Sequence, residues 1–382
     1  MAELAGEAGR QVGQTEATVA MKSGGYYSER TRGAKDVIDK ARAMLLDAVA
    51  ALPEPEDGRV LRLADFGAAD GGTSKETIHA VIAALRTRFP AHQVQMTYTD
   101  LPSNDFSNLF KNMLGLTGSG HDYLTEIEGV FLDAVGIGFH QQLLPDVSLD
   151  IGFSATAMHY VSEKPCDIPD HVHMVGASGD VLAAFAARAA DDWEKILLAR
   201  ARELRPGGRI VICNFGIDEE GRYLGATGGV NMFDTFDRLW KAMVDDGRIT
   251  HEEYVAATFA QFYRTKAEFC APLEADGGAV VQAGLRLISA ETRLTRCPYR
   301  AAFKAADGAM STREFAISYI PTLRSWSETV FATALDASRP ADERATLVDA
   351  FYQAYEDEVA AAPDGHAMDY VHCFLEIEKV GR

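Results

Sequence analysis

The stretch V-L-R-L-A-D-F-G-A-A-D-G-G-T, Val60 to Thr73, reads as a buried strand that breaks into a glycine loop and then a helix. Val60 to Phe66 is mostly apolar and carries Asp65 near its end. Gly67, Gly71 and Gly72 follow, where the backbone turns tightly and approaches a ligand with no Cβ in the way. Thr73 and Glu76 match a T-x-x-E capping box, and Ile78, Val81, Ile82 and Leu85 then recur at helical spacing. Strand, glycine turn and helix outline a cofactor site. A pyrophosphate-binding fingerprint needs G-x-G-x-x-G, whereas Gly67 and Gly71 stand in D-x-G-x-x-x-G. Taken alone, the stretch is also open to a plain tight turn of an α/β protein.

Further strands are expected at Val94 to Asp100, Gly129 to Ala134, Leu149 to Ser154 and Arg209 to Phe215, the last after the tight turn L-R-P-G-G-R. Ligands of open α/β sheets bind at the carboxyl ends of strands, so Asp100 stands where a ribose would lie; the other reading is an acid capping the turn L-P-S-N-D-F. Upstream, Tyr26 and Tyr27 lead into a helix whose apolar face is Val37, Ile38, Ala41, Leu45 and Val49. These tyrosines lie over a ligand or pack that helix on the core. From Ile217 to about Gly278 the pattern turns helical and aromatic, with Phe233, Phe236, Trp240, Phe259, Phe262, Tyr263 and Phe269, and reads as a lid. Leu285 to Thr295 and His372 to Val380 are expected as a late antiparallel pair, with helices between Ser311 and Ala361.

The predicted fold is α/β: a Rossmann-like sheet of about seven strands under a helical cap. Its expected parts are a tail over 1–20, a core over 21–216 that includes the N-terminal helix, and a cap over 217–280. A core strand over 281–298, cap and core helices over 299–365 and a final strand over 366–382 complete it.

Hydrophobic residues make up 47% of the 382 and charged residues 24%, ordinary values for a globular chain. The net charge of −19 is not ordinary, and it repels phosphate backbones and anionic lipid, so neither nucleic acid nor a membrane surface is an expected partner. The five cysteines are scattered and form no C-x-x-C pair, which fits a reducing compartment, and the polar beginning of the chain has no leader pattern; a cytoplasmic location is expected. No histidine has a cysteine or acidic partner at metal-ligand spacing, so no metal is expected.

Several separated motifs agree with one family. T-D-L-P-S-N-D-F at Thr99 to Phe106 is similar to N-D-L-P-x-N-D-F of the SABATH methyltransferases, the salicylate, benzoate and theobromine-type enzymes. D-F-G-A-A-D-G at Asp65 to Gly71, V-G-I-G-F-H at Val135 to His140, S-A-T-A-M-H-Y at Ser154 to Tyr160 and L-R-P-G-G-R-I-V at Leu204 to Val211 follow the family order. The chain resembles this family from about Met21 onward and is read as a non-plant member. The resemblance implies S-adenosylmethionine as cofactor and a homodimer. It assigns Tyr27, Thr31, Asp65, Gly67, Thr73, Asp100, Leu101, Gly138, Phe139 and Ser154 to the cofactor. The substrate is expected at Tyr26, Arg30, Met158, Met232 and Phe233, with His159 and Tyr160 at the reacting group.

The substrate side departs from the pattern. Where carboxyl-methylating members clamp the carboxylate with a glutamine and a tryptophan, this chain has Ala34 and Tyr160. Tyr160 still has a hydroxyl to donate, Ala34 donates nothing, and Arg30 or Arg32 is a candidate replacement. The expected function is a carboxyl O-methyltransferase forming the methyl ester of a small, largely apolar acid. Loss of the clamp suggests one alternative, N- or O-methylation of a heterocycle or phenol; a further alternative, from another class, is a protein that binds the cofactor without catalysis.

Overall fold

A computed structural model describes residues 32–117 and 122–381. Helix α1 (Arg32–Ala51) precedes β1 (Leu61–Phe66), α2 (Lys75–Arg88), β2 (Val94–Asp100), α3 (Phe106–Met113), α4 (Tyr123–Glu126), β3 (Val130–Gly136) and β4 (Leu149–Ala155). Then come α5 (Gly179–Glu203), β5 (Leu204–Ile217), α6 (Met232–Asp245), α7 (His251–Ala256), β6 (Arg264–Thr265), α8 (Lys266–Glu274), α9 (Ala279–Gln282) and β7 (Leu285–Thr295). Helices α10 (Pro298–Ala305), α11 (Thr312–Ala334) and α12 (Ala341–Ala361) lead to β8 (Tyr370–Lys379). No helix among the described residues is long and apolar enough to cross a membrane.

The strands run in the order β3-β2-β1-β4-β5-β8-β7, with β8 antiparallel to both neighbours and the first five parallel. The two-residue β6, which the sequence does not suggest, pairs with the end of β5 and adds an eighth strand. Strand order reverses between β1 and β4, where the carboxyl ends leave a crevice.

Alternation along the strands builds two cores. Leu61 and Leu63 of β1 join Val37, Ile38, Ala41 and Leu45 of α1 on one face, while Ala64 and Phe66 meet Trp193, Ile196 and Leu197 of α5 on the other. Residues 217–280 divide between layers. Helices α6 and α7 pack with α11 and α12 over the crevice, whereas α8 and α9 pack against β7 and α5. The cap is held by rings: Phe236 and Trp240 each lie 5.0–5.9 Å from Phe331 and Phe351, which are themselves 4.3 Å apart, all edge-on or tilted.

The expected capping box at Thr73 is absent. Helix α2 begins at Lys75 with Ser74 as its cap residue. Glu76 pairs with Lys35 at 2.7 Å, which ties α2 to α1. The Ser74 hydroxyl is taken by Asp65 Oδ2 at 2.7 Å, a contact between turn and strand that outweighs local capping. Capping boxes do form at Thr250/Glu253, Thr265/Glu268 and Ser311/Glu314.

Candidate active site

The carboxyl ends of β1, β2 and β4 open into a cleft of about 1020 Å³. Its floor is the turn after β1. Gly67 has φ +82, and a Cβ there would stand 2.4 Å from the Ala157 Cβ, so the loops after β1 and β4 meet only because this residue is glycine. Ala69 has φ +50, and the neighbouring strand holds it there. Its N–H donates to Asp100 Oδ2 at 2.6 Å, and its carbonyl accepts from Asn104 Nδ2 at 2.8 Å. Asp100 Oδ1 accepts the Leu101 N–H at 2.7 Å. Each carboxylate oxygen thus has one backbone donor, which fixes the plane of the group and leaves lone pairs for a ligand in the cleft that Asp100 lines. Burial raises the Asp100 carboxyl above its usual range, against the pull of the two N–H donors.

Asp65 also lines the cleft and is almost wholly buried. Desolvation raises its carboxyl to about 7, against the Ser74 hydrogen bond and with the help of the Asp100 charge. The far wall is Gly138, Phe139 and His140, whose rings lie 4.6 Å apart. Arg200, fully buried on α5, anchors this wall: Nη1 donates to the Phe139 carbonyl at 3.0 Å and Nη2 to the Gln141 carbonyl at 2.8 Å. Its charge is met by Glu203 at 2.6 Å, and Glu203 Oε1 accepts the Leu143 N–H at 2.6 Å.

A second cavity lies between the sheet and the cap. It shares Thr156 and Tyr160 with the cleft. Its other walls are His159, Phe215, Leu224, Gln261, Tyr263, Trp326, Met368 and Tyr370. No lysine or arginine lines it among the described residues. His159 Nδ1 is 3.3 Å from Asn214 Oδ1, and burial lowers the imidazole to about 3, so the ring is neutral.

Of the expected cofactor residues, Asp65, Gly67, Thr73, Asp100, Leu101, Gly138 and Phe139 line the cleft. Ser154 does not: its hydroxyl donates to the Phe66 carbonyl at 2.8 Å, stitching β4 to β1. Of the expected substrate residues, His159 and Tyr160 line the second cavity. Met158 lies in the core on the opposite face of the sheet, because the chain leaves β4 through Thr156 at φ +56 and alternation ends there. Met232 and Phe233 are buried behind the cavity wall, Phe233 against the rings of Tyr263 and Trp326. Tyr26, Tyr27, Arg30 and Thr31 lie outside the described residues. Ala34 is buried and lines neither cavity, and at its neighbour Gly33 a Cβ would stand 2.1 Å from the Tyr370 ring. Sequence reasoning missed Asn104, Thr156 and Arg200, and the walls Phe215, Leu224, Gln261, Trp326, Met368 and Tyr370. Of the cavity's walls, the aromatic density after Ile217 points only to Tyr263.

A family model described as SAM dependent carboxyl methyltransferase matches residues 16–334. Among curated proteins, gibberellic acid methyltransferase 1 of Arabidopsis thaliana is 25% identical over 258 residues, covering 60% of this chain and 65% of its own length. Loganic acid O-methyltransferase of Catharanthus roseus is 23% identical over 256 residues, covering 62% and 66%. O-methyltransferase acrG of Aspergillus aculeatus is 29% identical over 195 residues, covering 50% and 48%. The chain therefore spans between about half and just under two thirds of the length of these relatives. The solved structure of a loganic acid methyltransferase with SAH superposes with a TM-score of 0.72 over 95% of this chain and 99% of that one, at 19% identity, so the fold is shared. Because the family match runs through both walls of the cleft and into the cap, the chain belongs to the SAM dependent carboxyl methyltransferase family, the SABATH enzymes, with S-adenosylmethionine as its cofactor.

Proposed function

We propose that the chain forms the methyl ester of a small, largely apolar carboxylic acid. The observation that carries this reading is the second cavity: it adjoins the cleft through Thr156 and Tyr160, has aromatic walls, and offers neutral hydrogen-bond donors but no competent base. His159, at about 3, holds its ring neutral and cannot take a proton from a phenol near ~10. A carboxylate needs no such help, being ionised at neutral pH with an unperturbed pKa near ~4.

The cleft suits S-adenosylmethionine. Asp100 presents lone pairs for two ribose hydroxyls, Phe139 an aromatic face, and Asp65 a buried carboxyl that a positively charged amino group would ionise. When bound, the cofactor supplies an electrophilic methyl group on a cationic sulfur. The chain's own task is to place the acceptor and exclude water. Tyr160 stands at the boundary between the cavities, where its hydroxyl can donate to the acceptor, and the cap brings Trp326 to the cavity that Phe215 and Tyr370 line from the sheet. The carboxylate loses its charge as the ester forms, so a cation beside it would hold the ground state more tightly than the transition state; neutral donors orient it without that penalty. Alignment in a dry pocket can supply several kcal/mol, with ~7–11 as the upper range.

The test is turnover with a radiolabelled methyl donor on aromatic, terpenoid and fatty acids against phenols and heterocyclic amines. Base-labile label is expected; stable label on a phenol or amine as the best acceptor refutes ester formation, and no turnover on any class favours cofactor binding without catalysis. We further infer a homodimer, as the resemblance implies, which a monomer mass in light scattering at micromolar concentration would refute. The free cysteines support a cytoplasmic site of action, checked by fractionation.

A further inference from the structure

Ala34 supplies no amide where the resemblance implies a glutamine on the first helix. Gln261, far away in the sequence, places an amide in the acceptor cavity. Its backbone pairs with Tyr160 in an isolated antiparallel bridge, an arrangement that sets the two side chains on one face. Both line the cavity.

The groups around Gln261 decide which end of its amide is available. His173 Nδ1 accepts the Val175 N–H at 3.3 Å, capping the short turn Met174–Gly176, so this nitrogen carries no proton. Burial keeps the ring neutral, and a neutral imidazole then carries its proton on the other nitrogen. His173 Nε2 is therefore a donor, and it stands 3.3 Å from Gln261 Oε1. Tyr263 donates its hydroxyl to the same oxygen at 3.2 Å. The His173 ring is itself stacked on Phe233, with centroids 3.9 Å apart. Turning the amide over would set its NH2 group against the His173 N–H, and the Tyr263 hydroxyl, which can donate or accept, follows the orientation that His173 fixes. Its oxygen is thus committed to the wall, and its N–H groups are left for the cavity.

We propose that the Gln261 NH2 group, oriented by His173 and Tyr263, donates to the carboxylate of the acceptor beside Tyr160 and selects acids over neutral acceptors. The inference rests on the ester-forming reading above. It assigns the role of the missing glutamine to a residue that reaches the cavity from the opposite side of the chain, through the segment joining α7 to β6. It also gives Phe233 a place one layer further out, as the surface that holds His173.

Gln261→Leu removes the donor at similar volume. Gln261→Glu keeps the shape and can still accept from His173 and Tyr263, but sets an oxygen where the donor stood. The wild type and both variants are assayed with benzoate, cinnamate, indole-3-acetate, octanoate and farnesoate, and with phenols and heterocyclic amines. For the best acid, kcat/KM is expected to fall about 10- to 100-fold in Q261L, mainly through KM, and further in Q261E. Affinity for S-adenosylhomocysteine in calorimetry is expected to stay within about twofold, which reports an intact fold. Inhibition by the acid, compared with the corresponding primary alcohol, should favour the acid in the wild type and lose that preference in Q261L. A Q261L that keeps the preference, or a Q261E that methylates the acid as well as the wild type, overturns the role of Gln261 and leaves ester formation standing. A wild type whose best acceptor lacks a carboxylate overturns the ester-forming reading, and the role of Gln261 with it.

Discussion

Replacing Asp100 with alanine tests the cofactor cleft most directly. Both carboxylate oxygens are tied to backbone, Oδ2 to the Ala69 N–H at 2.6 Å and Oδ1 to the Leu101 N–H at 2.7 Å, so the group is held before any ligand arrives. What remains for the cofactor is one pair of charge-assisted hydrogen bonds to a ribose diol, each worth about 1.5–3 kcal/mol in mutational series. Allowing for solvent competition and non-additivity, Asp100→Ala should weaken S-adenosylmethionine binding by about 2–4 kcal/mol, roughly 30- to 1,000-fold in Kd. Asp100→Asn keeps the shape and one acceptor oxygen but turns an NH2 group toward one of the two backbone donors, and should lose about half as much. Titration calorimetry with S-adenosylhomocysteine measures both. Asp100→Ala also strips the Ala69 N–H of its acceptor in a residue at φ +50, so part of the loss could come from the loop. A double-mutant cycle separates the terms, because a ligand lacking the 2′-hydroxyl should lose affinity for the wild type and not for Asp100→Ala. Affinity within threefold of wild type in Asp100→Ala, or equal loss on both arms of the cycle, refutes the assignment of Asp100 to the ribose.

Tyr160→Phe keeps the ring at the boundary of the two cavities and removes its hydroxyl; kcat/KM for the best acid should fall by roughly 1–3 kcal/mol with cofactor affinity unchanged, and equal rates would remove Tyr160 from the reaction. Burial raises the Asp65 carboxyl to about 7, above its ordinary value, so the native state binds the proton more tightly than the unfolded chain. The stability this contributes is fully present below the ordinary value near 3.8 and is lost as pH rises through about 7. Urea midpoints of the free protein should therefore decrease from about pH 4 to about pH 7 and level off above, and Asp65→Asn should flatten that part of the profile. Cofactor binding near neutral pH should also release a proton, read as a dependence of the calorimetric enthalpy on buffer ionisation; no such dependence would place the positive amino group elsewhere. Arg200→Ala leaves Glu203 buried without its partner and frees the carbonyls of Phe139 and Gln141, so stability should drop by about 3–5 kcal/mol in urea titration. Arg200→Met with Glu203→Gln should recover part of it, and an unchanged midpoint in the single variant would show the pair to be dispensable.

The sheet and the residues that line the cleft at its carboxyl edge were legible in the sequence, because both are written in short-range signals. Strand β2 ends at Asp100 and β1 at Phe66, where apolar periodicity gives way to polar or glycine residues, and ligand position follows from strand ends. Gly67 is legible for the same reason, since a turn at φ +82 against Ala157 admits no side chain. Signals of this kind fail where a distant partner decides. Thr73 and Glu76 have the spacing of a capping box, yet Ser74 answers to Asp65 and Glu76 to Lys35, so the helix starts later. Along S-A-T-A-M-H-Y the alternation of a strand would have ordered the side chains, but the turn at Thr156 breaks it; Ser154 then faces Phe66, Met158 the opposite core, and Thr156, His159 and Tyr160 the second cavity. The remaining walls of that cavity belong to tertiary structure. Phe215, Leu224, Gln261, Trp326 and Met368 come from β5, the loop after it, the strap before β6, α11 and the loop before β8, and no periodicity links residues so far apart. Their convergence is set by the packing of the cap on the sheet, and the orientation of the Gln261 amide by hydrogen bonds of His173 that only the folded chain brings together.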